Sequence, residues 1–252
     1  MLRIEGVSKS YGKGSRRAVD DLTLHVGPGE IFGFLGPNGA GKTTTIKMIV
    51  GLLTADSGRV LVDGCDIAKE AVWAKSRMGY VPDNPDLFDR LTGVEYLNFM
   101  GDVYGVQAAA RAERIDSLLD MFELKGAVRD LVASYSHGMR QKLALTGALL
   151  SHPKLLVLDE PMVGLDPKSS HLFKEMMNRH CEEGGTVFFS THILEVAEKL
   201  CHRVGIIDHG KLIARGTLDD LKRQARAVNA AGGGSERKTL EELFLELTEG
   251  EN

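Results

Sequence analysis

Cysteine is scarce in this chain: Cys65, Cys181 and Cys201 are the only three in 252 residues. They are odd in number, widely spaced and form no Cys-x2-Cys pair, which excludes a disulfide framework or a cysteine-held zinc. They read as reduced, small hydrophobic residues, the usage expected in the cytoplasm. Long apolar runs are missing as well. Nothing approaches about 18 consecutive apolar residues, so no segment is expected to span a membrane. The opening Met1-Leu-Arg-Ile-Glu-Gly6 lacks the apolar stretch of a signal peptide. There is no excess of positive charge: 31 Lys and Arg stand against 35 Asp and Glu, a net charge of −4. That gives no general attraction to nucleic-acid phosphates, and no nucleic-acid partner is expected. Internal repeats are absent too, so the length suits one large α/β core with an inserted subdomain.

Glycine, in contrast, is concentrated where it matters. Gly36, Pro37, Asn38, Gly39, Ala40, Gly41, Lys42, Thr43 and Thr44 follow one another, and Gly36, Gly41, Lys42 and Thr43 satisfy Gly-x4-Gly-Lys-[Ser/Thr]. Three glycines in six positions let the backbone curl around an anion, with amide N–H groups converging on a phosphate. The positive end of the following helix reinforces them. Lys42 would reach the β- and γ-phosphates, and the Thr43 hydroxyl would ligate Mg²⁺. The flanks fit: Glu30 to Leu35 reads as a buried strand and Thr44 to Val50 as a helix. Strand, loop and helix together indicate a nucleoside triphosphate site.

Elsewhere the pattern changes twice. Leu2, Ile4 and Val7, then Leu22, Leu24 and Val26, mark strands before the loop, and Arg59 to Val62 marks another after it, closed by Asp63-Gly64. From about 86 to 150 the chain turns helical. Thr92-x-x-Glu95 is a capping box for a helix to about Tyr104. Ile115, Leu118, Leu119 and Phe122 share a helical face, and a third helix runs from Gly138 to Leu150. Strands then return at Leu155–Leu158, Thr186–Ser190, Val204–Ile207 and Lys211–Ala214, with helices opened by Asp166-Pro167, from Ile193 to Cys201, and by Thr217-x-x-Asp220. A linker with Gly232-Gly-Gly234 and an amphipathic helix carrying Leu240, Leu243, Phe244 and Leu247 are expected over 226–252. The 1–225 stretch is read as one ATPase domain. Leu155 to Glu160 places two carboxylates just past a buried strand, where open α/β sheets bind ligands. There Asp159 is suited to hold Mg²⁺ and Glu160 to act as general base toward water.

With these residues in this order, the chain resembles the ATP-binding subunits of ATP-binding-cassette (ABC) transporters, over nearly its whole length. Tyr135-Ser-His-Gly-Met-Arg-Gln141 is similar to that family's signature motif, and Gly164-Leu-Asp166 and Thr191-His192 fall at its usual spacings. The resemblance implies a P-loop NTPase (RecA-like) core with an N-terminal antiparallel β-subdomain and an inserted α-helical subdomain. It further implies ATP and Mg²⁺ as ligands, Tyr11 stacked on adenine, His192 at the γ-phosphate, and Ser136, Gly138 and Asp166 acting in trans on ATP held by a second subunit. A helix N-terminus supplied by that subunit would replace an arginine finger. The expected partners are that second ATP-binding subunit and a separate integral membrane subunit at the cytoplasmic face of the membrane, in an exporter-type assembly. Leu87, Phe88 and Leu91 are candidates for its docking groove or, equally, for the core of their own segment.

Three positions depart from the family pattern. Asp83 stands where the family has Gln; being shorter and charged, it is a candidate Mg²⁺ ligand that reaches less far toward the attacking water. His137 replaces a glycine and Met139 a glutamine of the signature, leaving Ser136 and Gly138 as its contacts. DNA-maintenance ATPases of the same family carry long coiled coils, and no sustained heptads occur here.

Overall fold

The computed structural model describes residues 1–12, 17–221 and 223. The linker and amphipathic helix expected over 226–252 lie outside the described residues. Two sheets organise the rest. Strands β1 (Leu2–Ser10), β2 (Arg17–Val26), β4 (Ser57–Val62) and β5 (Cys65–Asp66) form a four-stranded antiparallel sheet in the order β2-β1-β4-β5. The period-two alternation of Leu22, Leu24 and Val26 sends all three into the core. Strand β1 is irregular: its register against β2 shifts between Ile4 and Val7, beside Gly6 in a left-handed conformation.

The second sheet has six strands in the order β10-β9-β3-β8-β7-β6. These are β3 (Ile31–Leu35), β6 (Met78–Val81), β7 (Leu155–Leu158), β8 (Thr186–Thr191), β9 (Arg203–Asp208) and β10 (Lys211–Gly216). All neighbours are parallel except the edge pair β9–β10. Every residue of β3, β7 and β8 is buried, as expected of central parallel strands covered on both faces. One face packs on α1 (Lys42–Ile49) and the antiparallel sheet, with Phe188 between Phe32 and Phe34. A short helix there, α2 (Ala71–Ser76), is too brief for a helical period to register in sequence.

The other face packs on the segment between β6 and β7 and on α6 (Pro167–Glu182). That segment contains α3 (Gly93–Val103), α4 (Ala108–Met121) and α5 (His137–Leu149). The capping box forms as read: the Thr92 Oγ1 accepts from Glu95 N–H, and the Glu95 carboxylate accepts from Thr92 N–H at 2.8 Å. Helix α7 (Leu194–Leu200) covers Leu35 and Val204. Leu87 is buried and Leu91 packs against the same core as Phe122, which favours the core over a docking groove for these two; of the three residues only Phe88 is exposed. Phe122 is fully buried and meets Phe173 of α6 with ring centroids 5.9 Å apart. Phe122→Ala is therefore expected to destabilise the fold by about 3–5 kcal/mol, read from the urea midpoint; a loss under about 1 kcal/mol would show that this contact does not tie the helical segment to the core.

Candidate nucleotide site

Four adjacent parallel strands, β3, β8, β7 and β6, end on the same edge of the sheet. Their carboxyl ends deliver the phosphate loop, His192, Asp159-Glu160 and Asp83 in that spatial order. Ligands of open α/β sheets bind along this edge, because strand polarity places the loops there.

The loop from Gly36 to Gly41 is shaped by its neighbours. A side chain on Gly36 would collide with the Ile207 carbonyl, and one on Gly41 with the Ala18 carbonyl; Gly41 also sits at φ 110°, a region closed to most residues. Asn38 and Gly39 stay exposed at the tip, with Pro37 half-buried and Ala40 tucked beneath. Lys42, nearly buried, donates through Nζ to the carbonyls of Gly36 (2.7 Å) and Pro37 (3.2 Å), bending back over the loop. Thr43 is exposed, and the Thr44 hydroxyl lies 3.4 Å from that of half-exposed Tyr11.

Around Lys42 the charged groups converge. Its Nζ lies 3.2 Å from Glu160 Oε1 as an ion-pair contact, outside hydrogen-bond alignment. Glu160 Oε2 is 3.1 Å from His192 Nδ1. Glu160 itself adopts φ 46°, a left-handed conformation that costs a non-glycine residue about 1–3 kcal/mol. Asp159 is almost wholly buried. Its Oδ1 accepts from the Ser190 hydroxyl at 2.5 Å, while Oδ2 is buried with no partner. Burial pushes the Asp159 carboxyl above the usual carboxylate range; Ser190 and Thr43 hydroxyls oppose this, and the Asp83 and Glu160 charges add to it. A buried carboxylate oxygen left open, beside a hydroxyl and a second carboxylate, fits a hard divalent cation. Asp83 holds its own loop meanwhile: Oδ1 accepts from Asn84 N–H.

A family model for ABC transporters matches residues 19–163 of this chain.

The chain belongs to the ABC transporter family.

It is 41% identical over 221 residues to the linearmycin resistance ATP-binding protein LnrL of Bacillus subtilis strain 168, a match covering 88% of this chain and 70% of LnrL. A solved structure of the ATP-binding subunit of an ABC transporter superposes with TM-score 0.89 at 35% identity, covering 98% of this chain and 99% of the other. A dimeric ATP-binding cassette in a post-hydrolysis state with ADP and Pi superposes with TM-score 0.77 at 25% identity, over 86% and 98% of the two chains. The protein is an ATP-binding subunit and an ATPase of an ABC transporter. Such subunits dimerise and work with membrane subunits. Among the described residues no helix is long and apolar enough to cross a membrane.

The ABC signature and the Gly164-Leu-Asp166 segment meet in the fold. Ser136 caps α5, its Oγ accepting from Met139 N–H at 3.3 Å. His137 packs beside Gly164, and Leu165 lies close to Gly138. Asp166 caps α6, accepting from the N–H (2.9 Å) and hydroxyl (2.6 Å) of Ser169, which hold its carboxyl below the usual range. Among the described residues, the hydrogen bonds of Ser136 and Asp166 stay within these local turns. The phosphate loop, Glu160 and His192 form one group, and Ser136, Gly138 and Asp166 form another.

Three further residues serve the site in roles that the sequence did not assign. Ser190 binds Asp159 and also accepts from Glu160 N–H at 3.0 Å. Thr191 Oγ1 accepts from Ile193 N–H, fixing the bend that presents His192. Gln141, fully buried in α5, donates to the Asp83 carbonyl at 2.6 Å and so joins the signature helix to the Asp83 loop. The available signal for the first two was polar residues closing an otherwise apolar strand.

Proposed function

We propose that this subunit hydrolyses ATP in a head-to-tail dimer and drives export through a separate membrane subunit. The observation that carries the reading is the convergence of Lys42, Glu160, His192 and the open Asp159 oxygen at one sheet edge, beside a loop whose glycines are held to a phosphate-sized bend. Lys42, the loop amides and the N-terminus of α1 would bind the phosphates, while Tyr11 stacks on the base beside Thr44. Glu160 would take the proton of the attacking water, and His192 would contact the γ-phosphate and steady Glu160. Thr43 and Asp159, with Asp83 contributing charge, would hold Mg²⁺. Bound there, the ion neutralises charge developing on the phosphoryl oxygens.

Ser136 and Gly138, at the positive end of α5, would complete the partner's site, and the loop ending at Asp166 would run between the two sites. Among the described residues, the hydrogen bonds of Ser136 and Asp166 lie within their own helix starts, which supports an action in trans. ATP therefore closes the dimer and hydrolysis releases it.

The membrane subunit would dock beside the Asp83 loop. Val50, Leu52, Met78, Tyr80 and Tyr104 line a cleft of about 160 Å³ there, with Lys75 at its rim. Leu52 is exposed, as are Val72, Trp73, Phe99 and Val103, which supports an apolar helix of the partner as occupant. Such a partner places the subunit on the cytoplasmic face of the membrane. Export follows from similarity to a resistance protein, since resistance by transport removes a substrate. Affinity isolation of this chain from gently solubilised membranes is expected to recover an integral membrane protein in stoichiometric amount. Recovery of the ATPase alone, with all of it in the soluble fraction, would remove the transport coupling.

A further inference from the structure

One hydroxyl ties together the two acidic residues of the site, through the carboxylate of Asp159 and the backbone amide of Glu160. Ser190 is fully buried near the end of β8, just beyond the pairing of Leu158 with Phe189, so it stands abreast of Asp159. Its Oγ donates to Asp159 Oδ1 at 2.5 Å and accepts the Glu160 N–H at 3.0 Å. The direction of each bond is forced. An amide can only donate, so the hydroxyl accepts there, and its single proton goes to the carboxylate. Engaging Oδ1 leaves Oδ2 as the open, unpartnered oxygen. Accepting the Glu160 amide holds that residue in its left-handed conformation, from which the side chain reaches Lys42 and His192. Two residues further on, the same strand delivers His192.

We propose that Ser190 is a positioning residue for ATP hydrolysis: it orients Asp159 toward the magnesium ion and fixes the backbone of Glu160 against the attacking water. The inference rests on the assignments of Asp159 and Glu160 made above. Outer partners of metal ligands and catalytic groups act by holding geometry, and their loss lowers metal affinity or activity by about 10–100-fold. The nucleotide itself would be gripped by the phosphate loop, whereas the Ser190 hydroxyl bonds Asp159 and the Glu160 amide. Ser190→Ala should therefore separate two readouts that a general loss of packing would move together.

The test uses the full chain with Ser190→Ala, Ser190→Thr and Ser190→Cys variants. Equilibrium ATP binding is measured in EDTA and across a magnesium titration, alongside kcat and KM. Ser190→Ala is expected to bind ATP normally in EDTA. The gain in ATP affinity on adding Mg²⁺ should shrink at least tenfold, and kcat should fall about 10–100-fold with little change in KM. Ser190→Thr, which keeps the hydroxyl, should restore both. If Ser190→Ala is unfolded by circular dichroism, Ser190→Cys carries the test, because it keeps the shape while donating weakly. A normal magnesium response and normal kcat in the folded variant lacking the hydroxyl would overturn the proposal, as would equal defects in Ser190→Ala and Ser190→Thr. Failure of the parent assignment looks different: normal turnover by Glu160→Gln would remove the base, while the magnesium response of Ser190→Ala would still report on Asp159.

Discussion

Replacing Glu160 with Gln is expected to lower ATP turnover by about 10²–10⁴-fold, the usual worth of a positioned general base. Glutamine keeps the length and shape of the side chain but cannot accept the proton of the attacking water. Two local effects should follow. The contacts to Lys42 Nζ at 3.2 Å and His192 Nδ1 at 3.1 Å lose their ionic character, so Lys42 is more available to phosphate. A negative charge is also removed from a site that must receive a tetra-anionic ligand. ATP affinity should therefore be preserved or increased, and hydrolysis no longer reopens the dimer. With ATP present, Glu160→Gln should elute from a size-exclusion column as a dimer, and without ATP as the species seen for the unmodified chain. Turnover within a few-fold of normal would remove Glu160 from the mechanism, whatever its contacts.

The second large effect is on binding. Lys42→Ala deletes a nearly buried ammonium that rests on the Gly36 and Pro37 carbonyls and would transfer its hydrogen bonds to phosphate oxygens. Hydrogen bonds to charged groups contribute about 1.5–3 kcal/mol, which at about 1.4 kcal/mol per tenfold is a loss of roughly 10–100-fold in ATP affinity. Equilibrium titration with a fluorescent ATP analogue measures it. The two substitutions act on different quantities: one on the chemical step with binding intact, the other on binding itself. Unchanged affinity in Lys42→Ala would show that the glycine-rich loop does not hold the triphosphate.

Much of the site was readable because its chemistry is local. The phosphate loop needs its glycines, lysine and threonine within a few consecutive residues, and a strand and helix on either side. Asp159 and Glu160 follow directly on a wholly apolar strand. The capping residues Thr92 and Asp166 also act within a single turn, and both form the expected bonds. Where the residues left two placements open, the missing information was spatial. Leu87 and Leu91 have the same apolar character as groove residues, and only packing against Phe122 and its neighbours assigned them to a core. The six-residue α2 has no periodicity long enough to register.

What the sequence determined alone was the inventory: a nucleoside triphosphate site, two carboxylates past a buried strand, and an order of motifs matching one family. These follow from short-range chemistry, in which neighbours along the chain are neighbours in space. The tertiary structure decided which strands stand side by side, and so brought residues 42, 83, 160 and 192 to a single edge of the sheet. It also showed that Ser190, 30 residues from Glu160, bonds the Asp159 carboxylate and the Glu160 amide, and that Gln141 spans 58 residues to the Asp83 loop. Strand order in a parallel sheet is set by long crossovers and by burial on both faces, and no local pattern of residues encodes it.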